Sequence, residues 1–337
     1  MTRAVPARDL DLLVLGDCNP DVMVLGADLE PAFGQQEKLV DSMGLVIGGS
    51  ASIMAVAAAR LGLRVALVAA IGADAAGDFM LGQLAAEGVR TDAMVVRAGQ
   101  ATAMTVVLSR GGDRASLTAV GALPTLTAAD VPADLLARAR HLHVSSYFLL
   151  ERSLGPGLAD LFAAARAAGT TTSLDTNWDP AERWGDQQLQ AVLRETDVLL
   201  PNEAEALRLG QRTTIGDAVA ALAAGGTRLV VKLGPRGALS ADADQWHAIS
   251  APAELPGDYV DATGAGDCSD AGVVAGLLDG LDLPSAAALG CAAGSASTRA
   301  AGGTGVRTGM AAALALAKTA TVEQVPAASA ASGCGPG

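Results

Sequence analysis

Short apolar runs alternate with amphipathic stretches along most of the chain. The runs of strand length lie at 12–16, 64–71, 141–145, 170–175, 198–200 and 228–233. Stretches with helical spacing separate or follow them, at 51–61, 75–87, 127–138, 267–278, 284–300 and 309–318. Strands that alternate with helices predict an α/β fold, a three-layer sandwich in which helices cover both faces of a parallel sheet.

Two segments depart from this alternation. The stretches at about 20–47 and 94–120 have strand-like patterns without helices between them, and a Gly-Gly-Asp turn at 111–113 predicts a hairpin. We expect them to form a small β-structured lid over the open end of the sheet. The pattern indicates one domain over residues 11–318, with a late hairpin at 239–249. The Ala-, Ser-, Gly- and Pro-rich segment 319–337 is predicted to be disordered.

Composition narrows the function classes. Half of the 337 residues are hydrophobic, which excludes disorder throughout the chain. The 23 basic residues against 36 acidic residues give a net charge of −13, which argues against nucleic-acid or anionic-membrane binding through a basic field. Because only three basic residues are lysines, an anionic ligand must be held by local arginines, backbone amides or a metal.

The remaining composition favours a cytoplasmic protein. The first residues lack a signal-peptide pattern, and no apolar run is long enough to span a bilayer. The four cysteines are far apart, without metal-type spacing, which favours free thiols in a reducing compartment. His141 and His143 share one face of a strand, but no third ligand accompanies them, so we expect no metal there.

The segment Asp261-Ala-Thr-Gly264-Ala-Gly266-Asp267 carries the strongest chemical signal. Its glycines permit a tight turn, and the apolar run that follows predicts a helix whose first amides and positive dipole end favour an anion. A carboxylate beside an anion site suggests a base for an attacking hydroxyl, as in phosphoryl transfer. Taken alone, an acid in the first turn of a helix is more often a helix-capping residue, favoured by the helix dipole, than a catalytic group.

This segment, as Asp261-x-Thr-Gly-Ala-Gly-Asp267-x4-Gly272, resembles the C-terminal motif of the ribokinase-like (phosphofructokinase-B-type) carbohydrate kinases. Four weaker elements stand in the same order as in that family. They are Gly16-x2-Asn19-x-Asp21, Gly48-Gly49-x5-Ala55-x4-Arg60-Leu61-Gly62, Pro201-Asn202-x2-Glu205 and Lys232-x-Gly234-x2-Gly237.

The resemblance implies an ATP-dependent kinase that phosphorylates a hydroxyl group, with Asp267 as the base. It assigns the anion hole to the amides of Gly264, Ala265 and Gly266. Asn202 and Glu205 would organise Mg²⁺ and the phosphates through water, with the loop of Lys232, Gly234 and Gly237 on the nucleotide side. Asn19, Asp21, Gly48 and Gly49 would face the acceptor. Asp261 and the Thr263 carbonyl resemble the monovalent-cation site of some members, which would bind K⁺.

Structural alternatives accompany three of these assignments. Gly48-Gly49 could be a simple turn that leads into a helix. Asn202 could cap the helix that begins there, a role compatible with ligand contact. Glu205 could be only a first-turn helix acid.

Departures from the family pattern bear on the substrate. Ile53 stands where many sugar-specific members have Asn, so one hydrogen bond to a hydroxyl is absent or replaced. Ser50 stands where ribokinase itself carries Lys, which argues against ribose. In the lid, Arg114 is a candidate substrate contact or a solvated hairpin arginine. Asp175 and Asn177–Pro180 resemble a mid-chain segment of fructokinase- and ketodeoxygluconate-type members, or form a turn.

The expected acceptor is therefore a small sugar or sugar-like polyol. A nucleoside is the alternative within the family, because Ile53 suits a less polar pocket, and inositol also remains open. A non-catalytic sugar- or nucleotide-sensing protein on the same fold would be expected to have lost Asp267 or the anion hole, and both are intact. No P-loop motif or Rossmann glycine fingerprint occurs. Lids in this family can pair between subunits, so a homodimer is a further expectation.

Overall fold

The structure is a computed structural model, and it describes residues 8–110 and 113–326, without the side chains of residues 113 and 114. Its strands are β1 (Leu10–Leu15), β2 (Asn19–Leu25), β3 (Ser42–Gly48), β4 (Val65–Val68), β5 (Ala70–Gly72), β6 (Val95–Arg97), β7 (Met104–Arg110), β8 (Asp113–Ala119), β9 (Ala139–Val144), β10 (Thr171–Leu174), β11 (Val198–Leu199), β12 (Arg228–Lys232), β13 (Ala238–Ala241), β14 (Trp246–Ile249) and β15 (Val322–Val325). Its α-helices are α1 (Ser50–Arg60), α2 (Ala75–Ala86), α3 (Ala133–Arg138), α4 (Tyr147–Ala167), α5 (Gln187–Arg194), α6 (Glu203–Leu209), α7 (Ile215–Ala223), α8 (Ala265–Leu278), α9 (Leu283–Ser297) and α10 (Met310–Ala317).

The main sheet has nine strands within the described residues, in the order β15-β14-β13-β12-β11-β10-β9-β1-β4. The strands from β12 to β4 are parallel, and β13, β14 and β15 add an antiparallel edge. The α/β prediction is therefore confirmed. Parallel strands end at the same edge of the sheet, and ligands bind in open α/β sheets beyond their carboxyl ends.

Helices cover both faces of this sheet. Helices α3 to α7 pack on one face, against side chains such as Leu13, Leu142 and Leu229. On the opposite face, α1 and α8 cover Leu12 and neighbouring side chains, and α8 and α9 cover Val230 and its neighbours. Buried strands with apolar side chains on both faces explain why the sequence shows continuous runs rather than strict alternation.

A row of hydrogen-bonded polar side chains, here called the polar ladder, interrupts the apolar core beneath α8. His141 and His143 of β9 alternate with Thr171 and Ser173 of β10 in an unbroken chain of contacts, each 2.7 Å long. The chain ends at Ser145, 2.8 Å from His143 Nε2. Each imidazole nitrogen contacts a hydroxyl oxygen. This satisfies the two buried rings, and no group of metal-ligating side chains occurs among the described residues.

The lid is a four-stranded sheet in the order β3-β2-β7-β8. Its cross-strand pairs place Asp21 and Thr105 on one face, near the amino terminus of α1. The other face is apolar, with a row of neighbours across all four strands formed by Leu45, Val22, Val106 and Leu117.

Four predictions about elements need correction. The predicted helix 127–138 is a short 3-10 turn followed by α3, because Pro132 separates them. The predicted strand 64–71 is divided at Ala69 into β4 and β5. The segment near 94 does not join the lid, since β6 pairs with β5 in a separate sheet. The segment 319–326 is not wholly disordered, because β15 pairs with β14 at the edge of the main sheet.

Candidate active site

Asp17 anchors the first loop of the site. Its carboxylate accepts hydrogen bonds from the amides of Ser50 and Ala51, both at 3.0 Å. These amides begin α1, whose N-cap residue, Gly49, supplies no side-chain cap. Burial raises the pKa of Asp17. The sequence reasoning passed over this residue, although an acid just beyond the first strand was a usable signal.

Asn19 and Asp21 lie together at the base of the lid. The amide Nδ2 of Asn19 donates to Asp21 Oδ1 at 2.8 Å and contacts Thr105 Oγ1 at 3.2 Å. A Cβ atom at Gly48 would lie 2.0 Å from Asp21 Oδ1. Gly49 has a φ of 82°, and a Cβ there would lie 3.0 Å from Asn19 Oδ1. The four predicted acceptor residues are therefore in mutual contact, and the paired glycines make room for the two polar side chains.

Asp261 holds the loop before α8 in shape. Its Oδ1 accepts from the amide and hydroxyl of Thr263 at 3.1 and 2.9 Å, and its Oδ2 accepts from the Gly302 amide at 2.9 Å. Gly264 has a left-handed backbone with φ 73°, and a Cβ there would lie 2.4 Å from Gly303 Cα. The motif glycine is therefore required both for its backbone conformation and for close contact with a neighbouring loop.

The first turn of α8 presents amides toward a cavity. Ala265 N donates to Ala262 O at 3.2 Å. In the described part of the chain, the amides of Gly264, Gly266 and Asp267 make no hydrogen bond. Beside them is a cavity of about 560 Å³, lined by Lys232, Gly234, Pro235, Gly237, Ala251, Pro252, Leu255, Tyr259, Ala262, Ala265, Gly266, Ser269, Cys291, Gly294, Ser295, Thr298 and Arg299. This volume is typical of a small-molecule site, and the predicted nucleotide-side residues Lys232, Gly234 and Gly237 all line it.

Asp267 occupies the first turn of α8 and is partly buried. Burial is the largest influence on its carboxyl group and, together with the negative charges of Asp175 and Asp17, raises its pKa to about 8. The charge of Lys232 and the polar side chain of Ser50 act in the opposite direction. A carboxyl group held near neutral pKa can accept a proton and release it again at physiological pH.

Lys232 lies at the centre of a buried ion cluster. Its Nζ is 2.9 Å from Asp175 Oδ2 and 3.0 Å from both carboxylate oxygens of Asp270. Burial raises the pKa of Asp270, and the Lys232 charge opposes that increase. Asp270 was missed in the sequence reasoning, although it lies three residues after Asp267 and therefore on the same side of a helix.

Asn202 and Glu205 form a reciprocal cap at the start of α6. Asn202 Oδ1 accepts from the Glu205 amide at 3.0 Å, and Glu205 Oε2 accepts from the Asn202 amide at 2.8 Å. The capping alternative is therefore realised. Burial, followed by the charge of Asp175, raises the pKa of Glu205 to about 7. The charges of Asp175 and Lys232 thus act on the pKa values of both Glu205 and Asp267.

Other candidates have different positions. Ile53 is buried beneath the loop before α8, since a Cβ at Gly264 would lie 3.0 Å from Ile53 Cγ2. Its predicted place beside the acceptor stays a prediction, and its packing against this loop is an additional role. Arg114 belongs to β8, but its side chain lies outside the described residues.

The sequence as a whole identifies the family. The profile of the pfkB family carbohydrate kinases matches residues 9–308. The chain belongs to this family. The predicted family resemblance and the kinase class are both confirmed. The pfkB match spans the loops described above, from Asn19 to Asp267.

Curated pfkB relatives differ in the acceptor that their names imply. The chain is similar to the 2-dehydro-3-deoxygluconokinase of Bacillus subtilis, with 30% identity over 76% of this chain and 82% of the relative. It is also 30% identical to the ribokinase of Bacillus subtilis, over 82% of this chain and 88% of the relative. A nucleoside kinase of Methanothermobacter thermautotrophicus is 28% identical over 82% of this chain and 85% of the relative.

Solved structures establish the ribokinase-like fold. A protein assigned as ribokinase II from E. coli, in complex with ATP and Mg²⁺, matches with a TM-score of 0.80 at 24% identity, over 92% of this chain and 99% of that one. Arabidopsis thaliana ribokinase, complexed with ribose and ATP, matches with a TM-score of 0.75 at 22% identity, over 92% and 99%. Across the portion of the pfkB chain that the structure describes, every helix is too short or too polar to traverse a bilayer.

Proposed function

We propose that this protein is an ATP-dependent kinase that transfers the γ-phosphate to a hydroxyl of a small sugar or sugar-like polyol. The observation that carries the proposal is the position of Asp267, in the first turn of α8 beside unpaired amides and a cavity of nucleotide size. Both relatives solved with bound ATP share this fold. The intact acid and amides favour a kinase over a non-catalytic sensor.

The reaction follows from the chemistry of these groups. The acceptor hydroxyl gives its proton to the Asp267 carboxylate while its oxygen forms a bond to the γ-phosphorus. The bond from that phosphorus to the bridging oxygen breaks, and ADP leaves with the electron pair. The amides of Gly264 and Gly266 and the Lys232 ammonium are suited to stabilise the negative charge that develops on the phosphate oxygens. Lid closure would exclude water, which would otherwise compete as the acceptor.

A surplus of acidic groups makes the site suitable for Mg²⁺. Asp175, Glu205, Asp267 and Asp270 all interact with the single cation Lys232. No group of three acidic, His or Cys side chains in the described ranges could coordinate a metal directly. Asn202 and Glu205 would hold Mg²⁺ through water, since this ion keeps several waters and usually takes only one or two protein carboxylates. When bound, the ion would neutralise phosphate charge.

A K⁺ site at Asp261 and the Thr263 carbonyl is a separate proposal. Asp261 fixes the loop through three donors, so a cation there would act on the shape of the anion-binding turn. Turnover in KCl should exceed turnover in choline chloride at equal ionic strength, and equal rates would count against the site.

Asn19 and Asp21 form the proposed acceptor clamp. They present amide and carboxylate groups on the active-site face of the lid base, which suits vicinal hydroxyls. A nucleoside is the second candidate, because a named relative is a nucleoside kinase.

A screen for ADP release tests the proposed function. Hexoses, pentoses, sugar acids, inositols and nucleosides are offered with Mg²⁺ and ATP, and Asp267→Asn serves as the control. We expect at least one sugar or polyol to support turnover well above ATP hydrolysis in water, and the control to lose it. Ligand binding without ATP-coupled product would favour the sensor, and turnover confined to nucleosides would favour the second candidate.

A second copy of the chain is the proposed partner of the apolar lid face. Met43, Leu45 and Leu117 on this face are 64%, 47% and 64% exposed. A two-fold axis, the commonest symmetry of homo-oligomers, would bring this apolar face of one copy against the same face of the other. Pairing of two lids would cover these side chains. It would also restrict movement of the acceptor clamp, because Asn19 and Asp21 belong to the same sheet.

A further inference from the structure

Arg60, the last residue of α1, joins three separate parts of the fold. Its Nε donates to Glu87 Oε2, beyond the end of α2, at 2.9 Å. Its Nη1 donates to the carbonyl oxygens of Thr304 and Val306, at 2.7 and 2.8 Å, both in the loop 302–306. The Arg60 side chain is 11% exposed and the Glu87 side chain 10%, so the guanidinium is a largely buried group with fixed partners.

The same loop contacts the anion-binding turn at 264–266. The amide of Gly302 donates to Asp261 Oδ2 at 2.9 Å. A Cβ atom at Gly264 would lie 2.4 Å from Gly303 Cα, so the two backbones are in direct contact. The loop therefore connects the guanidinium at the end of α1 to the turn that begins α8.

The composition of this loop makes it depend on external partners. Residues 302–306 read Gly-Gly-Thr-Gly-Val, and three glycines in five positions leave the backbone many accessible conformations. The partners of its carbonyl groups therefore help to decide which conformation the loop keeps. Arginine is suited to this task, because its donors form a rigid planar fork that can hold two carbonyl oxygens and a carboxylate at once.

Two purely structural roles for Arg60 do not account for these contacts. A basic residue in the last turn of a helix favours the helix dipole, and an ion pair with Glu87 can stabilise the packing of α1 against α2. Neither role requires the hydrogen bonds to the two loop carbonyl groups.

We propose that Arg60 is a positioning residue for the anion-binding turn: by fixing two carbonyl groups of the loop 302–306, it keeps this loop packed against Gly264. The amides of the turn are then held in place before the nucleotide arrives, which lowers the cost of binding its terminal phosphates. This inference rests on the proposed function, in which these amides stabilise the transferred phosphate.

Binding of two adenine nucleotides to the full-length protein tests this inference without knowledge of the acceptor. Mg²⁺-AMP-PNP, an ATP analogue, carries the two terminal phosphates, and AMP lacks both. Calorimetric titrations are made well below the unfolding temperature of each variant. In Arg60→Gln, the Kd for AMP-PNP should rise by about tenfold or more, whereas the Kd for AMP should stay within about twofold of the parent.

Arg60→Lys separates the charge from the shape of the guanidinium. It keeps a positive charge beside Glu87, but an ammonium group does not reproduce the planar fork. It should unfold at a higher temperature than Arg60→Gln, yet bind AMP-PNP several-fold more weakly than the parent. This variant carries the test if Arg60→Gln does not fold.

Arg307→Gln is the matched control. Arg307 Nη2 donates to the other carboxylate oxygen of Glu87 at 2.6 Å, and its side chain is 70% exposed. Within the described part of the chain, Arg307 makes no side-chain hydrogen bond to a carbonyl group of the loop 302–306. The control therefore removes one positive charge from the same carboxylate, and its affinity for AMP-PNP should equal that of the parent.

Three results would overturn the inference: equal weakening of AMP-PNP and AMP, equal losses in Arg60→Gln and Arg307→Gln, or parental affinity for AMP-PNP in either Arg60 variant. A parent protein that does not bind Mg²⁺-AMP-PNP would instead refute the proposed function, and this inference with it.

Discussion

At the scale of single residues, the site depends on a few atoms in unusual surroundings. The first turn of α8 would stabilise an ordinary acid, yet burial and neighbouring carboxylates raise the pKa of Asp267 to about 8. The raised pKa favours proton transfer to this group near neutral pH. It also means that ionisation of Asp267 lowers the stability of the folded protein.

Asp267→Asn should lower kcat by about 10³-fold or more, while KM for ATP changes little, since general-base catalysis and orientation of the hydroxyl are lost together. The variant should also unfold at a higher temperature than the parent at pH 8. Because folding raises the pKa of Asp267, the parent protein is fully stable below about pH 4 and loses stability as the pH rises toward 8. The advantage of Asp267→Asn in unfolding temperature should therefore disappear near pH 4. Calorimetry at the two pH values checks this, and a kcat within a few-fold of the parent would contradict the assignment.

The pH profile of kcat/KM for the acceptor gives an independent check. The free enzyme needs Asp267 ionised, so kcat/KM should rise with pH and level off above about 8. A flat profile between pH 6 and 9 would show that another group limits the reaction.

Gly48→Ala should damage the acceptor clamp alone. The new Cβ would meet the Asp21 carboxylate at 2.0 Å and displace it, so we expect KM for the acceptor to rise by about tenfold or more, while KM for ATP is unaffected. Gly44→Ala on the same strand is the matched control, because nothing lies within 4 Å of its Cβ position. Equal effects of the two variants would count against the clamp.

At the scale of elements, the active site is assembled where strand ends meet helix starts. Asp17 joins β1 to α1, and Lys232 joins β12 to α8 through Asp270. The polar ladder of β9 and β10 lies on the same side of the sheet and leads toward this point. Burial lowers the pKa of His141 to about 3 and that of His143 to about 4.

The ladder should make the sheet sensitive to acid. A histidine pKa below its unfolded value of 6.5 contributes stability that is complete above about pH 6.5 and is lost as the pH falls toward 3. Relative to His141→Gln, the parent should lose about 1 kcal/mol of unfolding free energy per pH unit between pH 6 and 4.5. Urea titrations over that range measure this difference, and a constant difference would contradict it.

At the scale of the whole molecule, the lid carries the proposed acceptor clamp on one face and an exposed apolar surface on the other. One face of the same four strands carries Asp21 and Thr105, and the other carries the exposed row that includes Leu45 and Leu117. A contact on the outer face is therefore mechanically linked to the clamp on the inner face.

Leu117→Glu should convert a dimer to a monomer in sedimentation velocity, since a charge at the centre of an apolar interface is left unpaired. Val96→Glu is the matched control, because Val96 is 52% exposed on β6, outside the lid. A parent that is monomeric at micromolar concentration would contradict the proposed dimer.

The sequence by itself determined the family, the layered α/β architecture and the residues of the local motifs. These features are encoded locally: buried parallel strands read as apolar runs, and the loop before α8 needs glycine, threonine and aspartate at fixed spacing. The helix cap at Asn202 and Glu205 was also predictable, because both partners lie within one turn.

Only the tertiary structure decided which distant residues meet. Asp270 and Asp175 are 95 positions apart in sequence, yet Lys232 binds both, and Asn177 reaches Ser50 across 127 positions. β15 became a strand because an unpaired sheet edge was available to it, despite a composition typical of disorder in that region. Strand order, helix packing and burial set these distances and the pKa of Asp267, and none of them is written in the local sequence pattern.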